Sequence, residues 1–92
     1  MALVRIERTV RQKVGAAGFS RSAIVRVFAW VYHELENRAD RHRHNRVAVR
    51  PDCFIVRKTF LDGGASHHCA FIVDDQTPDL FRVEDFTHQR GG

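Results

Sequence analysis

Six cationic or imidazole side chains fall within nine positions: Arg38, Arg41, His42, Arg43, His44 and Arg46, with Asp40 the only acid among them. A run of this density attracts phosphate backbones, because each arginine set against a phosphate releases condensed counterions. Two other uses compete for it. Cations at the end of a helix are favoured by the macrodipole and need no partner, and an acidic protein would also fit. The chain as a whole leans the same way, with 15 Lys and Arg against 11 Asp and Glu and a formal net charge of +4.

The histidines invite a metal, but their spacing does not. His42-Arg43-His44 and His67-His68-Cys69 are the dense spots, and neither is a paired-ligand pattern such as C-x₂-C or H-x₃-H. In a strand, His67 and His68 point to opposite faces, which spoils chelation. His33 reads as a packed or half-exposed helix residue. Ser66, His67 and Cys69 lack an oxyanion element and an orienting acid, so they do not read as a nucleophile and its base. Cys69 alternates with His67, Phe71 and Val73, which is the pattern of a core face. Gly63-Gly64 is a hairpin turn and lacks the phosphate-loop pattern. Asp74, Asp75, Asp79, Glu84 and Asp85 read as a solvated acidic edge. No metal and no cofactor are therefore expected.

The elements that position these residues follow from periodicity. Leu3 to Arg8 alternates apolar and charged residues and suits a short strand, although Leu3, Ile6, Val10 and Val14 also suit a helix. Thr9 caps a brief helix through Val14, stopped by Gly15 and Gly18. Ser20 is the N-cap of a long helix to about Arg41, with Ile24, Val27, Phe28, Val31 and Leu35 on one stripe. Val25, Trp30 and Tyr32 widen its apolar arc beyond what one sheet would cover. After Pro51 the period becomes two. Cys53–Phe60 is a strand, residues 61–66 its turn and His67–Asp74 the return strand. Residues 75–79 turn again at Pro78, Leu80 to about Thr87 is a third strand, and residues 88–92 are a loose end.

This order predicts one α+β domain over residues 1–92, with a short and a long helix packed on one side of an antiparallel sheet of three to four strands. Cys53 and Cys69 are offset by about five residues across the hairpin, roughly 16 Å, which is beyond disulfide reach. Two reduced cysteines, no leader-like apolar start and no span of about 20 apolar residues predict a cytoplasmic protein.

Three segments resemble one known family. Pro51-Asp52-Cys53-Phe54-Ile55-Val56-Arg57 resembles the second strand of RelE-type toxins. Ala70-Phe71-Ile72-Val73-Asp74-Asp75 is similar to that family's return strand. Phe86-Thr87-His88-Gln89-Arg90 is similar to the closing element of the RelE/ParE superfamily, the toxins of bacterial type II toxin–antitoxin pairs. The strand–helix–helix–strand–strand–strand order matches as well. The resemblance implies metal-free, ribosome-dependent cleavage of messenger RNA, in which a 2′-hydroxyl attacks the adjacent phosphate. Carried over by motif, Arg57 stands for a phosphate-binding lysine, His68 for a strand-three arginine, and His88 or Arg90 for the closing basic residue. His68 and His88 would then share base and acid duties, and Arg90 or Lys58 would offset charge. Arg38, Arg41, Arg43 and Arg46 would seat the protein on ribosomal RNA. The implied partners are the ribosome with its message and a cognate antitoxin that buries apolar surface such as Trp30 and Tyr32 and assembles into an oligomer with the toxin.

Two departures open an alternative. Ile55 replaces the family's first strand-two lysine, and the sequence ends at Gly92, before the tail that carries a further catalytic residue. Both permit a protein that binds without cutting: a ParE-like gyrase inhibitor, or a small phage-type protein that blocks a macromolecular partner.

Overall fold

The computed structural model describes residues 2–91. β1 (Leu3–Ile6) is followed by α1 (Arg8–Gly15) and α2 (Arg21–Arg38), and a single 3-10 turn over Ala39–Arg41 closes α2. β2 (Arg46–Val47), β3 (Arg50–Asp62), β4 (Ala65–Asp74) and β5 (Leu80–Gly91) complete the chain. The α+β class is as expected, but the sheet is larger and mixed. It has five strands in the order β1-β5-β4-β3-β2, and β1 runs parallel to β5 while the other pairs are antiparallel. β1 can pair in parallel because both helices and the whole meander lie between it and β5, and a parallel pair needs a long crossover.

Tertiary pairing explains the other differences. The expected loose end, residues 88–91, is part of β5, because β4 offers it a ladder as far as Ser66 opposite Gly91. Gly92 lies outside the described residues. β2 escaped notice because two residues carry no periodicity; it folds back on β3 through Arg46 opposite Phe54 and Val47 opposite Arg50. The hairpin between β3 and β4 turns on Gly63-Gly64 alone, with Gly63 at φ 62°, since a two-residue connection requires a positive φ that glycine takes without strain. α1 is preceded by Glu7, with no side-chain cap from Thr9. α2 ends at Arg38, three residues before the predicted Arg41.

α2 begins where the sequence placed it. Ser20 Oγ accepts from the Ala23 amide at 3.2 Å, and Asp62 at the end of β3 takes both the Ser20 amide and its hydroxyl. The cap thus ties the helix start to the hairpin that carries the site. Ser20→Ala should cost about 1 kcal/mol and lower the thermal midpoint by roughly 4–8 °C, measured by circular dichroism. An unchanged midpoint would show that Asp62 alone holds the junction.

Both helices bury one stripe against one face of the sheet. Val10, Val14, Val27, Val31 and Leu35 meet Phe54, Val56, Phe71, Val73 and Phe86, all essentially buried. Trp30 and Tyr32 are half-buried rather than free: Trp30 packs perpendicular to Phe60, and the Tyr32 hydroxyl accepts from Arg11. Side chains of the opposite parity on β3, β4 and β5 emerge on a face that carries no helix.

Candidate functional site

The register defines that open face row by row. Arg57 of β3 stands opposite Ala70 of β4, which stands opposite Thr87 of β5. In the next row Thr59 faces His68, and His68 faces Gln89. Residues paired across a ladder project to the same side, so these six side chains surround one depression of about 680 Å³, which the intervening Lys58, Cys69 and His88 also line although their side chains have the opposite parity. Ala70 is its low point, because only a methyl group rises there. Arg57 and His68 are both exposed. Thr59 Oγ1 lies 2.9 Å from His68 Nδ1, which fixes the ring from the β3 side. The faces of Arg57 and His68, which strand parity alone leaves open, therefore coincide.

The remaining expected site residues do not join them. His88 pairs with Cys69 and Arg90 with His67, so both project from the helix side of the sheet. His88 Nε2 lies 2.7 Å from Nδ1 of the buried His67, and the Phe19 ring lies tilted against His67 at 4.2 Å between centroids. His67 Nε2 has no hydrogen-bond partner among the described residues. His68 and His88 therefore cannot flank one phosphate as base and acid, because β4 and β5 present them to opposite sides. Lys58 is also on the helix side, over the Trp30 ring at 5.6 Å.

The imidazole pair has a pH signature. His88 is held below the ordinary imidazole value by its burial first, then by His67 and by Arg90. A depressed histidine pKa means that the unfolded chain binds more protons than the folded one once pH falls below about 6.5. Stability should accordingly be flat above that pH and decline as pH drops through the folded value. Urea denaturation from pH 8 to pH 5 measures it, and His88→Gln should flatten the decline. An equal decline in the variant would move the effect to another group.

The basic segment is partly neutralised. Asp75 takes both terminal nitrogens of Arg46, at 2.8 and 3.0 Å, and lies 3.7 Å from Arg43. Those contacts, the hydrogen bond from Arg46 first, hold the Asp75 carboxyl below the usual carboxylate range. Arg43 also lies over Phe81, and His42 is bonded to the buried Glu34. Arg38 and Arg41 remain exposed, with no carboxylate within salt-bridge distance among the described residues. The acidic residues are thus not simply a solvated edge. Asp85 pairs with Lys13, and Glu84 pairs with Arg50 and Arg82.

Glu84 is the extra residue of a bulge, since Val83 faces Val73 and Asp85 faces Ile72. It lies with Cys53 and Asp74 in the one group of potential metal ligands found among the described residues, their ligand atoms within 4.8 Å of one another. Arg50 and Arg82 already occupy the Glu84 carboxylate, so the group reads as an ion-pair cluster. Cys53 and Cys69 are both free and buried. Lys58, five residues beyond Cys53, is the partner of Cys69, as the offset predicted. Burial pushes the Cys69 thiol up to about 11, which suits packing rather than nucleophilic chemistry.

Sequence reasoning missed Thr59, Thr87 and Gln89. The signal for them lay in the Gly63-Gly64 turn, since counting back from a two-residue connection sets Thr59 against His68. No helix among the described residues is long and apolar enough to cross a membrane. Comparison of the chain with protein-family models, with curated proteins and with solved structures finds no match.

Proposed function

We propose that this chain is a RelE-like toxin that binds RNA across the open sheet face and cleaves it on the ribosome, in the cytoplasm. The observation that carries the reading is that Arg57 and His68 line one depression from adjacent rows of a face free of helices. A guanidinium and an imidazole on one face are the minimum for transesterification at a phosphodiester. His68 accepts the 2′-hydroxyl proton as O2′ attacks phosphorus. Arg57 offsets the charge that builds on the phosphorus oxygens. The P–O5′ bond then breaks, leaving a 2′,3′-cyclic phosphate and a 5′-hydroxyl, and the leaving oxygen takes a proton from the imidazolium or from water. Arg38 and Arg41 supply a phosphate-binding surface for ribosomal RNA, and a cognate antitoxin restrains the protein in the cell.

A second reading has its own observation. His88 projects from the far face, so of the expected base and acid only His68 presents its imidazole on the open face. That favours a protein that grips a partner without cutting, such as a ParE-like gyrase inhibitor. Inducing the gene alone in a bacterium, with 5′-end mapping of its messages, separates the two. Growth arrest with new 5′ ends inside translated codons supports the nuclease. Arrest with intact messages supports the inhibitor. Unchanged growth with protein present in the extract overturns both.

A further inference from the structure

The imidazole in the depression is held on one side and left open on the other. Neither residue responsible carries a charge. Thr59 stands directly opposite His68, its Oγ1 2.9 Å from Nδ1. On the β5 side the chain has Gly91, where a Cβ would stand 3.5 Å from His68 Nε2 and 2.8 Å from Ser66 Oγ. Nε2 therefore faces a gap that exists because position 91 has no side chain.

The hydrogen bond decides which nitrogen carries the proton. A neutral imidazole has one N–H and one lone pair, and a hydroxyl has one proton to give and two lone pairs to accept with. Thr59 is exposed, so its hydroxyl can donate to water while Oγ1 accepts from Nδ1. We propose that Thr59 is a positioning residue: it takes the Nδ1 proton of His68 and so presents the Nε2 lone pair, through the gap at Gly91, to the substrate hydroxyl. The substrate half of this statement rests on the RNA-cleaving function proposed above. After proton transfer both nitrogens carry hydrogen, and Nδ1–H still rests on Thr59. The ring therefore need not turn during the step.

Nitrogen-detected NMR of the imidazole at pH 8, on the protein without RNA, tests the tautomer directly. The expected spectrum has a pyrrole-type Nδ1 and a pyridine-type Nε2 in the wild type and in Thr59→Ser. Thr59→Val keeps the shape and favours a strand, and it should move both signals toward the mixture seen in free imidazole. In cleavage assays Thr59→Val should lower kcat by about three- to tenfold, the equivalent of one hydrogen bond, with KM unchanged and activity restored by Thr59→Ser. Gly91→Ala should keep the tautomer while reducing cleavage, because its methyl group would occupy the approach to Nε2 at contact distance once the Ser66 hydroxyl has moved aside. A proton on Nε2 in the wild type, or an unaltered spectrum in Thr59→Val, overturns the proposal. The expected spectrum in a protein that leaves RNA intact overturns the cleavage reading instead, and supports the holding of the ring by Thr59.

Discussion

His68→Ala should lower the proposed RNA cleavage by roughly 10²–10⁴-fold, the usual contribution of a positioned general base, and should release the growth arrest expected on induction of the wild type. Among the described residues, no other imidazole projects from β3, β4 or β5 on the open face, so none there can substitute. His68 is exposed on the open face, and its removal takes nothing from the core. The variant should therefore unfold at nearly the wild-type denaturant concentration. Arg57→Ala should show a similar loss. Arg57→Lys should recover only part of it, because an ammonium cannot bind phosphate in the bidentate way of a guanidinium. His88→Ala provides the contrast. It lies on the helix side, against His67 and Phe19, and should cost stability while the folded fraction still cleaves. End mapping of messages after induction, paired with circular dichroism of each purified variant, gives the comparison. If His88→Ala were as inactive as His68→Ala while fully folded, the open-face assignment would fail.

The contrast also shows what was legible in the residues. The long helix could be read because Ser20 caps it and Val27, Val31 and Leu35 recur on one stripe. The hairpin could be read because Cys53 to Phe60 and His67 to Asp74 alternate around two glycines. The composition of residues 88–91 predicts nothing, since His, Gln, Arg and Gly are weak strand formers. β4 extends them into a strand by hydrogen bonding, and that extension settles the faces of His88, Gln89 and Arg90. A shift of one residue in pairing would have exchanged those faces, so motif likeness alone, which groups His68 with His88, could not decide the matter. Charge density misled in a related way: Arg43 and Arg46 read as free phosphate binders until the fold set Asp75 beside them.

The same alternation separates loss of function from loss of fold, and Phe71 tests that separation. It is 1% exposed and lies on β4 between Ala70 and Ile72, with its side chain turned toward the helices. Val56 and Phe86 flank it in register, and the Phe86 ring is 5.1 Å away between centroids. Phe71→Ala should cost about 3–5 kcal/mol through lost burial and the cavity it leaves. A domain of this size has only about 5–15 kcal/mol in total, so the midpoint in urea should fall sharply and a large fraction of the protein should be unfolded at 37 °C. Phe71→Leu keeps most of the volume and should cost less than about 1.5 kcal/mol. Activity should follow folded fraction across these two variants. In His68→Ala it should instead disappear from a fully folded protein. If Phe71→Ala kept the wild-type midpoint, the helix-side face of β4 would not be the core, and the assignment of His68 to the opposite, open face would fall with it.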